Sequence, residues 1–427
     1  MAAGARLHLS IVSRSDAAGV RQRGGGRRGG ADLLSRCCRG DPPKRRPSRG
    51  LRNGGHQSAP RPRLEGGGGL RIAFVAPLVT PIREPQAGGS QALLADLAAG
   101  LTDRGHAVDV YAATGSEIPG VKVIDTGVDS DRLGGSLYRA NGSASLDNRP
   151  AEAAFAAVYA AIRTLPYDVV HNHAFDAPAV RLATSLGPPV IHTLHLPPDI
   201  AVGAAIAEVR HARPAPTVAT VSAWQARAWG IPTILPNGVP TDRIPWSGHA
   251  GQGLVFAGRL SPEKGAAEAI DIARAAGVPL DLYGDPYDPE YAAAVANSSR
   301  GVSGVTVHSG VPREILWGVM ARAAAVLYPA KWEEPFGLAA AEAQATGTPV
   351  IAFRRGALGE VVSDGETGFL VPPGDVEGAA QAVMRIGSIR RSACRRHAET
   401  DLSLDRSLDA HERLYEQVRR RAPASHA

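Results

Sequence analysis

Leu70–Ala76 (LRIAFVA) is a near-continuous apolar run, the pattern of a strand buried on both faces of a parallel sheet. Pro77–Gly89, rich in proline and glycine, interrupts it. Leucines then recur at positions 93, 94, 97 and 101, on one face of a helix expected over Ser90–Arg104. Ser90 stands where an N-cap is needed and Gly105 where a helix ends. Ala107–Ala112 is the next apolar run, so the segment reads as a right-handed strand–helix–strand unit.

The alternation continues. Helices are expected over Ala151–Leu165, Ala177–Leu186 and from about Ser222, and strands over Asp168–His171, Pro189–His195, Thr217–Val221 and Thr233–Leu235. Pro236–Gly251 has little periodicity and repeated proline and glycine, the marks of a linker. A second series follows, with strands at Gly253–Ala257, Leu280–Tyr283, Val305–His308, Ala325–Tyr328 and Pro349–Phe353. Helices between them are expected over Glu263–Ala276, Pro289–Ala296, Arg313–Ala324 and Gly337–Thr346. A last amphipathic helix, Ser407–Arg420, carries Leu408, His411, Leu414 and Val418 on one face. The expected fold class is α/β: two Rossmann-like doubly wound domains facing across a cleft lined by strand C-termini. The expected boundaries are a tail at 1–69, a first domain at 70–235, a linker at 236–251, a second domain at 252–398 and a terminal helix at 399–421.

Charge changes the picture only at the N-terminus. Residues 1–63 hold fifteen Lys/Arg against three Asp/Glu, so a chain of net +6 has a mildly acidic body of −6. The Arg/Gly-rich tail cannot bury enough apolar surface to offset chain entropy and reads as disordered, or as a start assigned too far upstream. A nucleic-acid role would rest on that tail alone. Aromatic residues are 5% of the chain, which argues against an aromatic-lined carbohydrate-binding sandwich. Cys37, Cys38 and Cys394 offer neither a disulfide framework nor zinc spacing, in keeping with a reducing cytoplasm. No apolar run nears the roughly 18 residues of a membrane span. The location expected is cytoplasmic, with peripheral contact at the inner membrane face left open.

Candidate chemistry gathers at the expected cleft. Gly88 and Gly89 precede a helix N-terminus, where backbone N–H groups can approach an anion. The full dinucleotide fingerprint and a phosphate-loop lysine are absent. In Gly258–Gly265 (GRLSPEKG), Arg259 and Lys264 flank a strand end and a helix start, placed to converge on a diphosphate. Glu334–Glu342 (EPFGLAAAE) sets one acid before a helix and one along it. Phe336, Gly337 and Leu338 form the start of that helix, whose free N–H groups can bind hydroxyls or phosphate. Glu342 stands among alanines, so it should have a partner. His171 and His192 read as hydrogen-bonded structural residues, whereas His195 falls at the cleft edge, able to donate to a hydroxyl. No carboxylate motif accompanies His171 and His173, so no metal is expected.

From Leu70 to Arg420 these pieces resemble the retaining GT-B glycosyltransferases of family 4. The resemblance rests on Gly88–Gly89, DVVHNH, HTLH, PNGV at Pro236–Val239, GRLSPEKG, EPFGLAAAEAQATGTPVIA and GALGEVVSDGETGFLVPPGD. It implies a nucleotide-sugar donor as co-substrate, with no cofactor. Gly88 and Gly89 would meet the donor phosphate, and Arg259 and Lys264 the leaving diphosphate. Glu334 would hold the transferred sugar, the backbone from Phe336 to Ala339 would hold sugar or phosphate, and Glu342 the ribose. Val311 would lie near the base, His195 would touch the sugar, and the last helix would cross back onto the first domain. UDP-glucose is the donor favoured. The acceptor (small molecule, lipid or saccharide) is unassigned, with Thr80–Gln86 and Arg139–Pro150 the segments expected to choose it. A serine and a glutamine follow the two glycines where the family often has an acid. Competing readings are a nucleotide-sugar 2-epimerase on the same fold, which would need first-domain acids that are not evident, and a nucleic-acid-associated protein acting through its tail.

Overall fold

A computed structural model describes residues 68–129, 149–249 and 251–421. Cys37, Cys38, nearly all of the basic tail and positions 139–148 of the expected acceptor segment lie outside the described residues.

Two six-stranded parallel sheets carry the fold. The first comprises β1 (Arg71–Val75), β2 (Ala107–Ala112), β3 (Lys122–Asp125), β4 (Val169–Asn172), β5 (Val190–Leu194) and β6 (Thr217–Thr220), in the order β3-β2-β1-β4-β5-β6. The second comprises β7 (Leu254–Ala257), β8 (Leu280–Tyr283), β9 (Val305–His308), β10 (Ala325–Tyr328), β11 (Val350–Phe353) and β12 (Gly368–Val371), in the order β12-β11-β10-β7-β8-β9. Each sheet reverses its winding at its first strand, and that reversal opens a crevice beyond the strand C-termini. The apolar run of the sequence explains β1: Ile72, Ala73, Phe74 and Val75 are all fully buried between helical layers.

The first sheet is covered by α1 (Gly89–Asp103), α2 (Arg149–Ile162), α3 (Ala177–Leu182), α4 (Ile200–Val209) and α5 (Ala223–Trp229). The second is covered by α6 (Ala266–Ala276), α7 (Pro289–Arg300), α8 (Arg313–Arg322), α9 (Leu338–Ala345), α10 (Leu358–Val361) and α11 (Val376–Met384), followed by α12 (Arg391–Asp401) and α13 (Leu404–Arg421). Two crossings join the halves, and they bond to each other: Val239 N–H donates to the Leu402 carbonyl at 2.8 Å and Leu404 N–H to the Val239 carbonyl at 2.8 Å. Beyond them α13 lies on the first half. Its Leu408, Leu414, Tyr415 and Val418 share a core with Leu93, Leu97 and Leu101 of α1. Arg104 pins the contact through Asp405, Asp409 and Glu412 at 2.9, 2.8 and 2.7 Å.

Several local expectations are corrected. Ser90 does not cap α1. The N-cap is Gly88, because Ser90 lies inside the helix, and its hydroxyl donates to Gln91 instead. The helix expected from Glu263 begins at Ala266, after a single 3-10 turn at Pro262–Lys264, because Gly265 takes the left-handed region at φ 80°. Thr233–Leu235 forms one isolated bridge, Thr220 to Ile234, not a strand. Six elements were not expected from the sequence: β3, β12, α4, α10, α11 and α12. β3 and β12 are four-residue strands at the sheet edges, and α4 is an alanine-rich helix without a polar face to set its period. Among the described residues no helix is long and apolar enough to cross a membrane.

Candidate functional site

The acid-bearing segment after β10 forms the centre of the site. Glu334 is 7% exposed, and its Oε2 accepts from Lys264 Nζ at 2.9 Å and from the Trp332 indole at 2.7 Å. The Lys264 ammonium also sits 4.5 Å over the Trp332 ring, so its charge is met by a carboxylate and an aromatic face together. Burial, with the Glu334 carboxylate beside it, pushes the Tyr328 hydroxyl well above its ordinary range and keeps it protonated. Gly337 adopts φ 99°, a turn only glycine makes freely, and α9 starts at the next residue with no side-chain cap. The first N–H groups of α9 are therefore left for another partner. Gly89 faces that helix start: a Cβ built on Gly89 would lie 3.6 Å from Leu338 Cβ. The structure thus brings Gly89, Lys264, Glu334, Phe336, Gly337 and Leu338 to one place, with Ala339 half-buried beside them.

Arg259 follows β7 and is partly exposed. It pairs with Glu263 at 3.3 Å and stacks 4.3 Å over the Tyr287 ring. Val311 is half-buried in the loop from β9 to α8. In that region the His308 ring stacks on Tyr283 at 4.4 Å and 11°, and its Nε2 meets Asp281 at 2.8 Å. Gly88 is the extended residue before α1.

Lys264 owes its position to Gly265. A Cβ on that residue would collide with the Pro329 carbonyl oxygen, and its φ of 80° already disfavours L side chains. Gly265→Ala is expected to cost on the order of 3 kcal/mol in a denaturant titration, combining left-handed strain with overpacking. Wild-type stability in that variant would show that the loop tolerates a different path.

His195 stands apart from this cluster in its contacts. Its Nε2 shares a hydrogen with His173 Nδ1 at 3.0 Å, and Phe175 lies edge-on at 6.2 Å, both from the first half. Burial pushes His195 down to about 3, with His411 adding to the effect, so the ring is neutral at physiological pH. Behind it His171 is buried between Tyr415 and Thr193, each at 2.7 Å, and Asn172 donates to His192 at 2.9 Å.

Sequence reading missed Trp332, Tyr328 and Arg313. A tryptophan two residues before Glu334, in a chain with five tryptophans, was a usable signal. Arg313 was legible only as the start of a helix, yet it is the partner of Glu342. Its Nε and Nη2 reach Glu342 Oε1 at 2.9 and 2.6 Å.

Two family descriptions match the chain. Glycosyltransferase Family 4 covers residues 87–243 and Glycosyl transferases group 1 covers residues 251–400. The chain belongs to the family 4 glycosyltransferases. The glycogen synthase of Mycobacterium tuberculosis is 31% identical over 163 residues, which span 36% of this chain and 39% of that relative. The D-inositol 3-phosphate glycosyltransferase of Kribbella flavida is 27% identical over 375 residues, 74% of this glycosyltransferase and 87% of its own length. In fold the enzyme is similar to the sucrose-phosphate synthase of Thermosynechococcus elongatus, with a TM-score of 0.67 at 21% identity, over 82% of this chain and 99% of that one. The two-sheet architecture is accordingly GT-B.

Proposed function

We propose that this glycosyltransferase moves a hexosyl group, with retention of configuration, from a nucleoside-diphosphate sugar to a hydroxyl acceptor, with UDP-glucose as donor. The observation that carries the reading is the convergence of Lys264, Glu334 and the uncapped start of α9 opposite Gly89. That set offers a cation and free N–H groups to a departing diphosphate, and a carboxylate to the hydroxyls of the departing sugar.

The residue roles follow from charge. As the bond from sugar C1 to the diphosphate oxygen breaks, negative charge collects on phosphate and positive character on the sugar. Lys264, Arg259 and the backbone N–H groups at Leu338 and Ala339 stabilise the former, with Gly88 and Gly89 giving the phosphate room. Glu334 holds the sugar hydroxyls, and neutral His195 donates to another. The acceptor oxygen attacks C1 from the face the phosphate leaves, and its proton passes to the leaving phosphate oxygen. Glu342 accepts from the ribose, and the loop at Val311 borders the base. The relatives matched along most of their length include D-inositol 3-phosphate glycosyltransferases, which makes D-inositol 3-phosphate the first acceptor to test.

Calorimetry of the full chain against UDP, GDP and ADP, with and without their glucose conjugates, tests the donor. Uridine compounds are expected to bind at least about tenfold more tightly than the purine ones. Tighter GDP or ADP binding would replace the base assignment, and a β-configured product from UDP-glucose would overturn retention.

A further inference from the structure

Arg313, the first residue of α8, is contacted from both halves of the molecule. Its side chain is 11% exposed, and Nη1 lies 2.9 Å from Asp96 Oδ2 of α1 while Nη2 lies 2.6 Å from Glu342 Oε1 of α9. Asp96 is itself buried at 4% exposure and receives Arg243, from the crossing segment, at 2.5 Å on its other oxygen. The Arg313 backbone N–H donates at 3.2 Å to Glu84, from the first βα loop. Trp317 closes the remaining side, 5.0 Å from the guanidinium. Burial works against the Arg313 charge, but Glu342 and Asp96 outweigh it and hold the group above its ordinary value.

Two features argue against a simple stabilising ion pair. Burying such charges costs much of what their attraction returns, and an alanine at 342 would suit the surrounding Ala340, Ala341 and Ala343 better. Both Arg313 bonds to Glu342 also end on Oε1, so the guanidinium does not occupy Oε2. We propose that Arg313 is the positioning residue of the nucleotide subsite. It fixes the Glu342 carboxylate with Oε2 left for the ribose hydroxyls, and through Asp96 it ties that carboxylate to the first domain. This rests on Glu342 being the ribose ligand of the proposed function.

The test compares UDP with 2′-deoxy-UDP on the full chain. Wild-type protein is expected to prefer UDP by at least about tenfold, the effect of one hydrogen bond to a charged acceptor. Arg313→Lys keeps the charge but not the planar fork, and is expected to reduce that preference to below about threefold. Asp96→Asn is expected to keep the preference while lowering kcat at least about threefold, since it loosens only the tie between domains. An undiminished preference in a folded Arg313→Lys protein would overturn the inference and leave the donor reading intact. If that variant does not fold, Arg313→Gln, which keeps a planar donor group without the charge, is read against the same threefold limit, and an unchanged kcat in Asp96→Asn overturns the tie. Equal binding of the two nucleotides by wild type would remove the ribose role of Glu342, and the inference with it. Wild-type protein that binds no nucleotide would overturn both readings.

Discussion

Glu334→Ala and Lys264→Ala are each expected to lower turnover at least about tenfold, roughly 1.4 kcal/mol of transition-state stabilisation. The geometry of the pair sets the size of this loss. Lys264 Nζ and the Trp332 indole both end on Glu334 Oε2, at 2.9 and 2.7 Å, so removing the carboxylate frees two donors that it had aimed. Removing the lysine instead leaves a 7% exposed carboxylate held by neutral groups alone and takes away the cation proposed to meet the leaving diphosphate. Steady-state kinetics on both variants and on the double variant check this. Because the two groups act through one contact, the double variant should lose less than the product of the single losses. Near-normal turnover in either folded single variant would refute the role given to that residue.

What could be read from the sequence was local. EPFGLAAAE places an acid, a glycine and a helix start within nine consecutive residues, and no tertiary knowledge is needed to single it out as a candidate site. The β1 run and the α1 leucines were legible for the same reason, since both periodicities are short. The Glu342 partner was not. A carboxylate among alanines announces that it needs a cation, but Arg313 and Asp96 come from distant helices, and Arg313 in isolation is an ordinary first-turn residue. The Ser90 cap failed on a two-residue boundary: the N-cap is Gly88, and the Ser90 hydroxyl, already inside the helix, donates to the Gln91 side chain instead of closing the helix end. The last helix shows the same limit. Its amphipathic pattern shows that Leu408, His411, Leu414 and Val418 are buried, but not that Tyr415 beside them completes the hydrogen bonding of His171.

That packing is expected to make the first half sensitive to acid. Five histidines, His171, His173, His192, His195 and His411, sit together, and burial is the main reason all are driven below their ordinary values. His192 and His411 are both nearly inaccessible and are pushed down to about 4. The sign follows from proton counts. Below about pH 6.5 the unfolded chain takes up protons that the folded histidines refuse, so stability is full above that pH and falls as pH drops towards the folded values. Each of these two residues should cost about 1.4 kcal/mol per pH unit across that window, or about 3 kcal/mol per unit together. Paired carboxylates such as Glu412, held below its ordinary value despite burial, lose their stabilisation only at lower pH, so the two effects separate. Denaturant titrations at half-unit steps from pH 7.5 to 4.5 should show the loss. His411→Gln, which stays neutral and keeps a donor for the Ser407 carbonyl, should flatten it by one histidine's share. A stability constant between pH 7 and 5 would mean that these rings are protonated in place, and that water reaches the space between α13 and the first sheet.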